Sequence, residues 1–229
     1  MSKIDVVSLP PLDPIRLVLQ SKRDIRSHET YGGMNDESHE WFYWNRLWAS
    51  EVALSEYVIQ EFYPNHFAGK TILELGCGCG LAGLVSAKLG GVVTFSDKVP
   101  MVMETIQEEC RLNAVSNYRT QLLDWTEAHA SIDQYEVVLG SEIFYDHTFL
   151  KDIRRVLVSV LSPDGIGLFC DPDRLGVEAI ETFFSQDFTI TITKREVEWP
   201  RRKSGQPRNQ TVLLYELKKH PSVRPDKMK

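Results

Sequence analysis

One ten-residue run constrains this chain more than any other: Ile72-Leu73-Glu74-Leu75-Gly76-Cys77-Gly78-Cys79-Gly80-Leu81. Thr71–Leu75 has the make-up of a buried strand, and apolar residues at helical spacing resume over Leu81–Leu89 before Gly90-Gly91 stops them. Between the two, alternate glycines free the backbone for a tight turn and leave no Cβ in the way of a ligand. A strand that passes through such a turn into a helix opens a βαβ unit, which commits the chain to a parallel sheet with helices on its faces.

The rest of the chain continues that pattern. Strands are expected at Val92–Phe95, Thr120–Leu123, Val137–Leu139 and Ile166–Cys170, the last entered through a Pro163-Asp164-Gly165 turn. Helices are expected around Met101–Leu112, with Val102, Ile106 and Cys110 inward, over the segment carrying Leu150, Ile153, Leu157 and Leu161, and at Val177–Phe184. Phe188–Val197 and Thr211–Leu217 read as a closing antiparallel hairpin. Ahead of the glycine loop, Leu54, Tyr57, Val58 and Phe62 form one more helical face, ended by Pro64 and preceded by the aromatic cluster Trp41, Phe42, Tyr43, Trp44 and Trp48. Residues 1–40 read as an irregular lead-in with one short strand at Ile15–Leu19, residues 41–219 as one α/β domain, and residues 220–229 as a flexible tail.

Composition narrows the setting. A hydrophobic share of 42% and a charged share of 25% over 229 residues are those of an ordinary globular domain with a core of its own. A net charge of −6 gives no general attraction to nucleic acid or to an anionic membrane. The four cysteines, Cys77, Cys79, Cys110 and Cys170, lack the paired spacing of a zinc site or a disulfide framework. No metal is expected, and a monomer in the reducing cytoplasm is. No stretch approaches the roughly 18 apolar residues of a membrane helix.

The ligand of the glycine loop is suggested by the acids beside it. Gly78, Gly80 and Gly83 fit the spacing of a dinucleotide site, and Asp97 ends the next strand about 20 residues on, where a carboxylate accepts from ribose hydroxyls. Glu74 sits inside the first strand, two residues before Gly76, a place where nicotinamide sites rarely carry an acid. S-adenosylmethionine has no phosphate to bind; it asks for acceptors around its ammonium and ribose, and Glu74 and Asp97 provide them. Asp124 and Trp125 close the third strand, the former as an acceptor for an adenine amine and the latter as a cover for the ring. Gly140-Ser141-Glu142 lies at the end of the fourth strand, on the sheet edge where open α/β sheets bind ligands.

On these residues the chain, over about residues 41–217, resembles the protein-lysine methyltransferases of methyltransferase family 16. Trp48 matches the tryptophan that opens that family's N-terminal helix beside the cofactor. Glu74 through Gly80 match its glycine motif, Asp97 its ribose-binding acid and Trp125 its adenine-side tryptophan. Its Asp-x-x-Tyr signature corresponds to Glu142-Ile143-Phe144-Tyr145, with Glu142 in the place of the aspartate. The resemblance implies a Rossmann-like seven-stranded sheet, S-adenosylmethionine as cofactor and a protein lysine as acceptor. It also implies a cofactor site of Trp48, Glu74, Gly76, Gly78, Asp97, Asp124, Trp125 and Ser141, with Glu142 and Tyr145 placing the amine. Glu142, with Asp171 near it, would form a carboxylate edge that attracts the incoming cation while Phe144, Tyr145, Trp44 and Trp48 desolvate it.

Other readings stay open. A nucleic-acid methyltransferase would be expected to carry a proline-containing signature after the fourth strand, which Ser141–Tyr145 lacks, though Arg201, Arg202, Lys203 and Arg208 form one basic loop. That loop reads either as a solvated run or as a dock for an acidic protein surface. A small-molecule methyltransferase fits the same fold. A nicotinamide oxidoreductase would need a Tyr-x-x-x-Lys or a His/Asp set, and a catalytically silent binding module would follow if Glu142 disabled transfer. Glu142 also reads as an acid that merely complements a helix N-terminus. His66, His129 and His147 are isolated.

Overall fold

The structure, a computed structural model, describes residues 2–27, 43–64, 66–127, 133–200 and 207–221. Trp41, Phe42, His129, Arg201, Arg202, Lys203 and the last residues of the tail lie outside them. In chain order the elements are β1 (Lys3–Val7), β2 (Ile15–Leu19), α1 (Lys22–Ser27), α2 (Ala49–Phe62), β3 (Thr71–Leu75), α3 (Leu81–Lys88), β4 (Val92–Asp97) and α4 (Pro100–Leu112). There follow β5 (Tyr118–Leu122), β6 (Tyr135–Ser141), α5 (His147–Val160), β7 (Leu161–Asp171), α6 (Val177–Phe184), β8 (Phe188–Pro200) and β9 (Pro207–Lys219).

Seven strands form one sheet in the order β5-β4-β3-β6-β7-β9-β8. The first five run parallel, β9 returns antiparallel to β7, and β8 pairs antiparallel with β9. This is the Rossmann-like α/β architecture expected, with its terminal hairpin. Strand order reverses at β3, which has β4 on one side and β6 on the other, so the crevice for a ligand opens at the carboxyl ends of β3 and β6.

Period-two alternation along the strands explains the two layers. Ile72 joins Val93, Phe95, Leu84 and Ile106 in one cluster, under α2, α3 and α4; Leu73 and Leu75 join Leu150, Ile153, Leu157 and Phe184 in the other, under α5 and α6. Each fully buried leucine or phenylalanine of these layers contributes about 1.5–3 kcal/mol. Local signals set the helix starts: Pro100 supplies the fixed φ of a first helical turn in α4, and the Asp146 side chain caps α5 by accepting from Thr148 N at 2.8 Å.

Three sequence readings need correction. The described part of the lead-in, residues 2–27, is not irregular, since β1 and β2 form an antiparallel hairpin and α1 follows it. Only the strand at Ile15–Leu19 was legible, because the apolar residues of β1, Ile4 and Val6, point outward and give no inward face to recognise. β2 docks on the C-terminal half of α4 and on the loop before α2 through side chains: Arg16 N and Val18 N donate to Asn113 Oδ1 and Glu109 Oε1, and Gln20 N to Asn45 Oδ1, at 2.7–2.8 Å. Pro163–Gly165 is not a separate turn before β7 but an irregularity within it, where pairing with β6 skips from Leu161 to Ile166. Glu142 does not begin a helix, as α5 starts at His147 with Asp146 as its cap. Among the described residues no helix is long and apolar enough to cross a membrane, and no group of acids, histidines and cysteines is arranged to hold a metal.

Candidate active site

β3 delivers the chain into the glycine loop at the reversal point. Gly76, Gly78 and Gly80 take φ of +60°, +47° and +62°, the left-handed region that only glycine enters without strain. The loop is also closely covered. A Cβ on Gly76 would stand 2.9 Å from Trp125 Cζ2, and one on Gly78 3.1 Å from the Trp44 carbonyl oxygen.

The helix that follows, α3, begins at Gly80 without a side-chain cap of its own. Two remote carboxylates serve instead: Glu51 on α2 accepts from Leu81 N at 2.8 Å, and Glu74 on β3 accepts from Gly83 N at 3.2 Å. The exposed N–H groups and positive dipole end of a helix make a buried acid tolerable there. Asp97, at the end of β4, bridges the loop and the next turn, accepting from Gly78 N at 3.1 Å through Oδ2 and from Val99 N at 3.0 Å through Oδ1.

These acids are strongly perturbed in one direction. Burial pushes the Glu51 carboxyl up to about 8, against two backbone N–H groups that favour its charge. Burial, with repulsion from Glu51 and Asp97, holds Glu74 well above the usual carboxylate range, and burial also raises Asp97. Such a wall is poised to ionise as a cation arrives.

The second half of the site is the carboxyl edge of β6 and β7. Ser141 ends β6, and Glu142 follows at φ +56°, a left-handed conformation that costs a non-glycine residue about 1–3 kcal/mol. That turn, fixed by Glu142 N donating to Cys170 O at 3.0 Å, sends the side chain inward. Its Oε1 accepts from Ser50 Oγ at 2.7 Å and its Oε2 takes the Arg174 guanidinium. Asp171 lies alongside, accepting from Phe144 N at 3.2 Å. Tyr145 is 45% exposed at the rim. Its ring meets Phe149 at 5.6 Å, and Phe149 meets Trp125 edge-on at 6.2 Å, so aromatic contacts run from the β6 edge to the glycine loop.

The residues singled out in the sequence thus gather around one crevice, with some changes of place. Gly76 and Trp125 touch, and Gly78 and Asp97 are bonded. Glu74 spends one oxygen on α3. Asp124 Oδ1 accepts from both Thr126 N and Thr126 Oγ1 in a local turn. Trp48 stands at the N-cap position of α2 by the Glu142 edge, with Arg46 over its ring at 4.3 Å and Arg174 at 6.0 Å, while Trp44 meets the loop through its backbone. Sequence reading missed Glu51 and Ser50. The signal for Glu51 was an acid on the face of α2 that also carries Leu54, Ser55 and Val58, all buried.

The fold and this acid-lined glycine loop are those of the Rossmann-like methyltransferases. A family model described as lysine methyltransferase, methyltransferase family 16, matches residues 36–187, and the chain belongs to that family. It is 28% identical over 158 residues to mouse EEF1A lysine methyltransferase 3, covering 66% of each chain. It is 30% identical over 114 residues to human histone-arginine methyltransferase METTL23, covering 47% of this chain and 58% of that one. The chain spans about half to two thirds of the length of the curated relatives it matches. Among solved structures, precorrin-6y C5,15-methyltransferase from Geobacter metallireducens superposes with a TM-score of 0.59 at 10% identity, over 72% of this chain and 86% of that one, a likeness of fold alone.

The cofactor of this family and fold is S-adenosylmethionine. The residues present fit it: a cationic ligand meets buried acids already raised in pKa, and the Trp125 ring lies against Gly76, where it can border a planar base.

Proposed function

We propose that the domain spanning residues 41–219 transfers a methyl group from S-adenosylmethionine to lysine side chains of a protein substrate. The observation that carries this reading is the charge balance at the β6–β7 edge. Two carboxylates, Glu142 and Asp171, face one guanidinium, Arg174, which leaves one negative charge for one incoming ammonium. Glu74, Gly76, Gly78, Asp97, Asp124 and Trp125 would hold the cofactor, with Trp48 and Ser141 at the junction with the acceptor. Bound there, S-adenosylmethionine supplies a methyl group on an already activated sulfonium. The protein's own work is to align an amine, strip its water and leave it neutral. Glu142, held by Ser50 and Arg174, sets the field that draws the amine in, and the rim hydroxyl of Tyr145 orients it.

Gly140 through Asp146 and Asp171-Pro172-Asp173-Arg174 are similar to runs in the lysine methyltransferase of the electron-transfer flavoprotein β subunit, which supports lysine over other acceptors. We place the protein in the reducing cytoplasm as a monomer; its described cysteines are all free and buried. Arginine is the second reading, because one relative is named for it and the edge already accommodates a guanidinium. Tandem mass spectrometry of a cell extract incubated with the enzyme and methyl-labelled cofactor separates the cases. Label on lysine is expected; label only on arginine, RNA or a small amine overturns the assignment.

A further inference from the structure

The two carboxylates of the β6–β7 edge are not equivalent. Glu142 has both oxygens engaged, one by Ser50 Oγ and one by Arg174. Asp171 has one, Oδ2, which accepts from Phe144 N. Among the described residues its Oδ1 has no hydrogen-bond partner, although the side chain is only 3% exposed. The Arg174 Nη1 stands 4.0 Å away, attractive in charge but beyond hydrogen-bonding distance. A buried carboxylate oxygen left without a donor costs stability, and such atoms call for a partner that arrives in function.

We propose that Asp171 is the group that receives the substrate ammonium and takes its proton. The inference rests on the lysine reading above and adds the residue that makes the amine nucleophilic. In the step, one N–H bond of the ammonium breaks and its electron pair stays on nitrogen. The proton forms an O–H bond to Asp171 Oδ1, while Oδ2 keeps the Phe144 N–H. Amine and acid are then both neutral, and the Glu142–Arg174 pair is untouched, so the net charge of the site does not change. Arg174, partly exposed, lies over the pair, and movement of that one side chain admits the amine.

The surroundings of Asp171 suit the role. Burial, with repulsion from Glu142, pushes its carboxyl up to about 7, against Arg174 and the Phe144 N–H, which lower it. Asp173 in the following loop adds repulsion; Cys170 beside it and Tyr215 on β9 are the other titratable groups in its field. A proton acceptor near neutrality works at the pH of the cell.

Two measurements on the full chain test this. In the wild type, with S-adenosylhomocysteine bound and aspartates labelled with carbon-13 at the carboxyl, one aspartate should titrate near neutrality and shift when n-butylammonium, a lysine side-chain mimic, is added. Absence of that response overturns the proposal without any variant. With poly-L-lysine and labelled cofactor, Asp171→Asn should lose roughly 10²–10⁴ in kcat. It should also lose the limb of the pH–rate profile near 7, regain rate at high pH, and keep S-adenosylhomocysteine affinity. Wild-type kcat and pH profile in a folded Asp171→Asn overturn it. If poly-L-lysine and cell lysines stay unlabelled by the wild type while another acceptor is methylated, the lysine reading fails, and the n-butylammonium response still decides whether Asp171 binds an ammonium.

Discussion

Gly83 lies in the first turn of α3, where helix propensity alone favours alanine over glycine by about 1 kcal/mol. The surroundings reverse that sign. A Cβ there would come within 2.3 Å of Phe95 Cε1 and 2.4 Å of Glu74 Oε2, closer than any real contact. The Phe95 ring is fully buried, and the Glu74 carboxylate is fixed by the Gly83 N–H. Overpacking a core costs about 1–3 kcal/mol, and leaving the buried Gly83 N–H without its acceptor about 1–3 kcal/mol more. Offset by the gain in propensity, Gly83→Ala should lose about 1–5 kcal/mol. For a chain of this size that is a fall in Tm of roughly 2–20 °C. Urea unfolding and calorimetry measure both quantities, and because Glu74 is displaced, S-adenosylhomocysteine affinity should fall as well. A Tm equal to or above that of the wild type would refute the reasoning, since it would mean that Phe95 and Glu74 can yield at no cost and that the glycine is there by chance.

Asp97→Ala removes the acceptor for Gly78 N and, on the proposed cofactor placement, for the ribose, and should weaken S-adenosylhomocysteine by about 1–3 kcal/mol by isothermal calorimetry; unchanged affinity in a folded variant would place the ribose elsewhere. Glu51 has a folded-state pKa raised from 4.5 to about 8, so the folded chain binds more protons than the unfolded one in that window, and stability should fall as pH rises through it. The gap between urea midpoints at about pH 5 and about pH 8 should therefore narrow in Glu51→Gln, the remainder coming from Glu74, Asp97 and Asp171; an equally steep slope would clear Glu51 of that role. Tyr145→Phe should reduce turnover while leaving S-adenosylhomocysteine affinity within about twofold, because the ring still contacts Phe149 and only the hydroxyl is lost; an equal loss of affinity would move Tyr145 to the cofactor side.

What the sequence disclosed and what it withheld follow from the range of the interactions concerned. The glycine loop, Asp97 and the alternating strands and helices were readable because each is written within a few residues: φ requirements, period-two and period-3.6 patterns, and helix stops such as Gly90-Gly91. The closing antiparallel hairpin came the same way, though not its register. Glu51 was hidden because its partner, Leu81 N, is 30 residues away, and an acid inside an apolar helix looks like a solvated one until the opposite helix end is in place. Glu142 was visible as a motif position, but its ties to Ser50 and Arg174 lie 92 and 32 residues off, so the reading of its carboxylate as open to an amine had no local check. Trp44 and Trp48 share one aromatic run, and only the tertiary fold shows which of them meets the loop.

The way β2 is held has a consequence for solubility. Three outward amides of that strand are satisfied by Asn113, Glu109 and Asn45, and the two asparagines return bonds to Arg16 O and Gln20 O. Side chains therefore occupy the margin where another strand would add, and that flank offers no template for sticking to a neighbouring chain. The blockade works in both directions: were the hairpin stripped away, Glu109 would lose the Val18 N–H it accepts from, with Ile15, Leu17 and Leu19 no longer covering its helix. A truncated chain would thus trade a sealed flank for a greasy, charged groove, and self-association rather than simple loosening is the expected fate of such a fragment.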